Sequence, residues 1–319
     1  MDGATPLDCL VVGGGTAGLA AALVLARARR SVLVIDAGRK RNGPAHASHG
    51  YLTRDGIAPD KFLELARADV EKYPSVAIER GTVERIDARD DGGFDVETDT
   101  GRTARAQTIL LAIGVRDELP RAEGIERFWG ATAFSCPYCD GWEMRERRIG
   151  IYGKLGEAVG LAQEMLRWSG DIVLCYCDDA TPTDAQQDWL EAAGVLVQRG
   201  TLAALEGAGD RLARLRLKDG IAVACEAVFF TSGLVPSCDI AQRVGCALDT
   251  EGCKIAVDAC QRTNVPGIYA AGDVVTDRHA VSIAGASGAR AAMAINDDLV
   301  DREAAALVRR HRSQAASSC

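Results

Sequence analysis

Short aliphatic runs alternate with amphipathic stretches along most of this chain. Leu7 to Val12 is an apolar run of strand length. Gly13-Gly14-Gly15 breaks it, and an Ala/Leu-rich helical stretch follows to about Arg29. Val32 to Ile35 is a second apolar run, closed by Asp36. A strand, a glycine turn, a helix and a strand in that order form a parallel unit. Arg39 to Gly56 is a polar loop, and Asp60 to Lys72 has helical periodicity. Ile78 to Val96 alternates and breaks at Asp90-Asp91-Gly92-Gly93, a hairpin signal, while Thr108 to Ile113 is a buried-strand run stopped by Gly114. The pattern then repeats: Arg148 to Gly153 reads as a strand, Gly156 to Ser169 as a helix and Asp171 to Tyr176 as a strand. Ala227 to Thr231 and Ile268 to Ala271 are further strands, and Ala286 to Leu299 is a helix rich in small residues. The polar tail Val308 to Cys319 is expected to fray. The repeat predicts an α/β chain with two Rossmann-like domains.

Composition narrows the function classes. The chain has 319 residues, 47% of them hydrophobic and 26% charged, as in a folded globular protein with a sizeable core. Its net charge of −8 sets it against nucleic-acid phosphates. No signal-peptide pattern opens the sequence, and the uncharged stretch from Cys9 to Ala26 carries three consecutive glycines that argue against a membrane span. The expected compartment is the cytoplasm. There, most of the 11 cysteines read as small buried residues, and special spacings are kept for redox or metal chemistry.

Three segments carry chemistry. Gly13-Gly14-Gly15-Thr16-Ala17-Gly18 is a full G-x-G-x-x-G between a strand and a helix. Gly13 allows the turn, Gly15 lets backbone approach a pyrophosphate, Gly18 lets helix and strand pack, and the helix N-terminus presents free N–H groups. Asp36, ending the next strand, stands where an acid binds ribose hydroxyls. The second segment is Cys136-Pro137-Tyr138-Cys139-Asp140. Cysteines at this spacing can form a reducible disulfide at a helix start, with Pro137 suited to the first turn. Half a zinc site and two buried thiols are the other readings, though a second C-x-x-C is absent. The third is the run from Thr263 to Asp273, in which Asp273 follows Gly272 at a strand end and can accept hydrogen bonds from a flavin's ribityl hydroxyls.

Taken with Ala112-Ile113-Gly114 and Ala270-Ala271-Gly272-Asp273, these segments resemble the low-molecular-weight thioredoxin reductase family over essentially the whole chain. The resemblance implies two Rossmann-like domains of the FAD/NAD(P)-linked disulfide oxidoreductase type. Residues 1–116 and 237–319 would form the FAD domain, and 117–236 a central nucleotide-binding-like domain carrying the C-x-x-C. It implies a homodimer. Around FAD it places Gly13, Gly15, Thr16, Ala17, Gly18, Asp36, His49, Val83, Ala112, Gly114, Gly272, Asp273, His279 and Val281. In the catalytic role it places Cys136, Cys139 and Asp140, with Cys139 against the flavin, Cys136 as the interchange sulfur and Asp140 shuttling protons.

The chain also departs from that family. The expected second fingerprint reads Gly153-Lys154-Leu155-Gly156-Glu157-Ala158, and the Leu155 side chain is expected to obstruct a pyrophosphate. Where NADPH-dependent reductases carry His-Arg-Arg, the strand ends Cys177-Asp178-Asp179, whose carboxylates would repel a 2′-phosphate. In place of an Arg-Gln-Ala stretch stands His279-Ala280-Val281. The Val281 N–H can still donate to the flavin, and His279 is either a solvated loop residue or a stabiliser of reduced flavin. A flavin–disulfide machine with a damaged nicotinamide site resembles the dithiol oxidases of gliotoxin, holomycin and romidepsin formation. That likeness implies oxidation of a small-molecule dithiol in antibiotic biosynthesis, with dioxygen as acceptor and hydrogen peroxide as product. The alternatives are an NAD(P)H-dependent reductase of protein disulfides and a flavin-bound redox sensor. Ala45 to Leu52 and Trp142 are candidate substrate contacts.

Overall fold

The computed structural model describes residues 5–90, 92–231 and 233–317. They form two compact units: residues up to 41 with 60–116 and from 235 onward, and residues 42–59 with 117–234. The segment 42–59, which the sequence reading kept in the first domain, groups with the second unit.

The first unit is built on a seven-stranded sheet. Its order is Val76–Arg80, Val32–Asp36, Leu7–Val12, Thr103–Leu111, Phe94–Thr98 and Val83–Ala88, and Ile268–Ala270 also pairs with Thr103–Leu111. The strands nearest Leu7–Val12 run parallel and the 83–98 hairpin antiparallel, which brings the ends of Leu7–Val12, Val32–Asp36 and Thr103–Leu111 to one edge. Such an edge, at the carboxyl ends of parallel strands, is where α/β sheets bind ligands. Leu10, Val11, Ile109, Leu110 and Leu111 are fully buried, as the near-continuous apolar runs of a covered parallel sheet require.

Two helices pack over this sheet, Thr16–Arg27 and the 37-residue helix Val281–Ser317. Their backbones nearly touch, since a Cβ on Gly288 would stand 2.0 Å from the Ala17 carbonyl oxygen. The long helix corrects the sequence expectation of a frayed tail, because it continues to Ser317. Its first half is anchored by Ala291, Ala292, Ile295 and Leu299 in the core. Beyond Leu299 almost every described side chain is exposed, and Ala, Arg, Leu and Glu, all strong helix formers, extend it from that anchor. Arg30 pairs with Glu303 and holds the first turns of the extension to the body. Cys319 lies outside the described residues.

The second unit holds a five-stranded parallel sheet in the order Leu196–Arg199, Ile172–Tyr176, Ile149–Gly153, Ala227–Phe230 and Ala133–Phe134. The antiparallel strands Leu202–Ala208, Arg211–Leu217 and Ala222–Ala224 cover it, burying Leu202, Leu205, Leu215 and Leu217 against Phe128 and Phe230. These three strands were not anticipated from sequence.

Gly288→Ala is expected to destabilise the protein by about 1–3 kcal/mol, because the added methyl forces two helix backbones apart. Denaturant unfolding of wild type and variant checks this. Equal midpoints would show that the two helices do not meet there.

Candidate functional site

The fingerprint loop takes the shape its glycines require. Gly13 has φ +109°, and a Cβ there would lie 2.3 Å from the Ala112 carbonyl oxygen. Gly15 caps the helix Thr16–Arg27 in extended conformation with no side-chain cap, so the first N–H groups of the helix stay open to a ligand. A Cβ on Gly15 would meet nothing within 4 Å, which leaves a cradle over the helix start.

The other expected cofactor residues of this unit stand around the same edge. Gly272 approaches Ala17, since a Cβ on it would come 2.9 Å from the Ala17 Cβ. Asp273 opens a 3-10 turn just beyond and pairs with Arg41 at 3.5 Å. Asp36 lies beside Gly14, accepts the Gly38 N–H at 3.0 Å and pairs with Arg67. Ala112 and Gly114 follow the strand Thr103–Leu111. Val83 is buried at the start of its strand, two residues past Gly81, whose N–H donates to the Asp36 carbonyl. Val281 begins the long helix, where its N–H has no intrahelical acceptor, and His279 sits half-buried just ahead of it. Two helix starts, an open glycine cradle and two carboxylates at one strand edge fit a dinucleotide with a flavin attached.

His49 belongs to the second unit, in a loop whose ends are joined by the Ser48 N–H donating to the Ile57 carbonyl at 2.7 Å. Its Nε2 lies 3.5 Å from Glu143 Oε1 and its Nδ1 3.5 Å from Asp55 Oδ1. Glu143 is one turn beyond the redox motif and was missed in the sequence. The signal was its position three residues after Asp140, which puts both carboxylates on one face.

Cys136 and Cys139 form a disulfide with Cα atoms 5.3 Å apart. Pro137 fixes the first turn of a four-residue helix, Pro137–Asp140, with Cys136 at its cap. The turn packs on Trp168, which Tyr138 meets edge-on at 5.5 Å. Tyr138 is 69% exposed and Trp142 65%, so an aromatic surface flanks the disulfide. Asp140 behind it is pushed up to about 7, first by burial and then by the Glu143 charge, with His49 opposing. The buried thiols Cys9, Cys175 and Cys225 are pushed up to about 12 by burial, which leaves them unreactive.

The second glycine turn differs from the first. The Leu155 side chain does not stand over the turn as expected. It is 2% exposed and packed in the core with Ile151, Val159 and Leu174. Asp178 stands at the turn instead. The Leu155 N–H, first in the helix Leu155–Met165, donates to both carboxylate oxygens of Asp178 at 3.2 and 3.4 Å. A carboxylate of the chain itself thus occupies the helix start that a pyrophosphate would need. Arg199, a basic side chain beside it, is held by Asp179.

The sequence profile of the pyridine nucleotide-disulphide oxidoreductases matches residues 7–293. A probable thioredoxin reductase of Arthroderma benhamiae is 31% identical, over 96% of this chain and 84% of its own. The structure of HlmI superposes with a TM-score of 0.91 at 37% identity, covering 97% of this chain and 98% of that one. The putative thioredoxin reductase TrxB of Bacillus anthracis gives 0.87 at 32%, covering 93% and 99%. The chain belongs to the pyridine nucleotide-disulphide oxidoreductase family. Within it, the chain is a thioredoxin reductase-like, flavin-dependent thiol/disulfide oxidoreductase whose cofactor is FAD.

Gly15→Val is expected to fold normally and to purify without flavin, since the new side chain meets no protein atom but fills the cradle. Circular dichroism beside the flavin absorbance per mole of protein checks this. A stoichiometrically yellow variant would remove the cofactor from this loop.

Proposed function

We propose that the protein is an FAD-dependent dithiol oxidase. It closes an intramolecular disulfide in a small-molecule natural product, working as a cytoplasmic homodimer. The observation that carries this reading is Asp178 at the second helix start. With that position filled by a fixed negative charge, a nicotinamide dinucleotide has lost its pyrophosphate seat, and electrons have to enter from thiols. The exposed aromatic side chains Tyr138 and Trp142 beside the disulfide suit a small organic substrate.

In this reading Asp140 takes the proton of the first substrate thiol. The thiolate attacks Cys136, breaking its bond to Cys139 and leaving the electron pair on the Cys139 sulfur. The second substrate thiol, deprotonated in turn, attacks the mixed disulfide and releases the product, leaving both cysteines reduced. Held at the Gly13–Gly18 loop, FAD would supply the two-electron oxidant that restores the disulfide, with dioxygen as the proposed final acceptor and hydrogen peroxide as the product. A base with its midpoint raised to about 7 is well matched to thiols near neutral pH. The second reading, an NAD(P)H-dependent reductase of protein disulfides, is favoured by the reductase names of the A. benhamiae and B. anthracis relatives.

Anaerobic stopped-flow spectroscopy separates the two. A small dithiol is expected to bleach the flavin rapidly and micromolar NADPH to do so slowly. The reverse order would establish the reductase. Asp140→Asn should keep its flavin and slow dithiol oxidation by about 10²–10⁴. In the wild type the rate should fall as pH drops through about 7, because protonation removes the base. The variant should lack that inflection, and a variant that kept it would show that another group is the base.

A further inference from the structure

Resting on that reading, we propose that Glu143 and His49 form the path by which protons taken up at Asp140 reach solvent beside Asp55. Each dithiol that becomes a disulfide gives up two electrons and two protons. The electron pair breaks the Cys136–Cys139 bond, and bound FAD would supply the oxidant that re-forms it. Both protons are taken back when dioxygen becomes hydrogen peroxide, so in the interval they are exchanged with solvent and not lost. Asp140 can hold only one, so it has to be emptied between the first and the second thiol.

The surroundings offer a set of titratable groups within electrostatic reach of Asp140. Those facing Asp140 are Glu143 and His49, and those facing His49 are Glu143, Asp55 and Asp140. Glu143 Oε2 is cut off from solvent and has no hydrogen-bond partner, an expensive state for a carboxylate oxygen unless a proton or a substrate group visits it. Its other oxygen lies 3.5 Å from His49 Nε2. Imidazole takes a proton at one nitrogen and releases it from the other, and here the second nitrogen lies 3.5 Å from Asp55 Oδ1. The path ends at solvent, since the His49 side chain is 23% exposed and Asp55 beyond it 72%. The 3.5 Å separations are a small rotation longer than hydrogen bonds, as in many resting sites that tighten when substrate arrives.

The loop is shaped to hold the histidine there. The Gly50 N–H donates to Asp55 Oδ1 at 2.8 Å, and the Asn42 side chain donates to Ser48 Oγ at 3.0 Å. A purely structural ion pair would fix the same loop, so the test has to read proton movement.

The experiment uses the flavin-loaded full chain with dithiothreitol as probe, followed anaerobically by flavin bleaching. At low buffer concentration His49→Ala should keep its flavin and slow by about 10–10²-fold, less than the about 10²–10⁴ of losing the acid–base group itself. Added imidazole should restore its rate and leave the wild type unchanged. Glu143→Gln should slow in the same way and move the pH midpoint of the rate below about 7, since one charge that raises Asp140 is gone. Loss of flavin from His49→Ala, a slow rate that imidazole leaves unchanged, or an unmoved midpoint in Glu143→Gln would overturn the path. If dithiothreitol fails to bleach the wild type, the oxidase reading alone falls. The path is then read in reverse, with dithionite-reduced enzyme and bis(2-hydroxyethyl) disulfide, whose leaving thiolate takes up a proton. The same imidazole comparison decides it there.

Discussion

Close backbone contact between two helices underlies the cofactor edge. The helix Thr16–Arg27 and the helix Val281–Ser317 meet with Gly288 against the Ala17 carbonyl, and Gly18 packs on the Gly13 carbonyl in the same way. Glycine at these points removes the Cβ atoms that would hold the elements apart. The approach sets two helix starts beside the ends of three parallel strands. From it follow the open cradle at Gly15 and the nearness of Gly272 to Ala17. The small residues along the long helix are therefore a packing requirement of the cofactor edge.

Carboxylates then divide the work according to their surroundings. Asp36 is fixed by Arg67 and by a backbone N–H at the end of its strand, placed for a neutral polar partner such as a ribose. Asp178 accepts the first N–H of a helix in its own unit, so its charge sits at a helix start. Asp140 is raised by burial and by the Glu143 charge against the opposing pull of His49, to about 7. The residue type is the same in all three places. The available hydrogen-bond donors and the local polarity decide which charge is held fixed and which is free to change.

Much of this was legible in the chain itself. Apolar runs of strand length, glycines in fingerprint spacing and an acid at the end of the next strand specify a local unit, because each depends on residues close in sequence. Cys136 and Cys139 are also a local feature: with two residues between them and Pro137 setting the turn, they come within bonding distance in a single turn. The boundary of the final helix was not legible, since residues past Leu299 show no buried face and are carried by an anchor formed elsewhere. Leu202–Ala208 is a run of small residues without clear alternation, and the Leu/Arg alternation of Arg211–Leu217 is interrupted at Ala213-Arg214, so neither stood out as a strand.

What the sequence determined by itself was the fold class, the glycine loop and the redox pair. Tertiary structure alone decided which way Leu155 points and what stands at its N–H. It sent the side chain into the core and brought Asp178 from the end of the next strand to the helix start. It also carried His49 from a distant loop to Glu143, a pairing that no periodicity encodes. The reason is physical. Turn geometry, helix caps and strand patterns are fixed by neighbours along the chain. A charge's partner and its burial depend on which remote segments the packed core brings within a few ångströms.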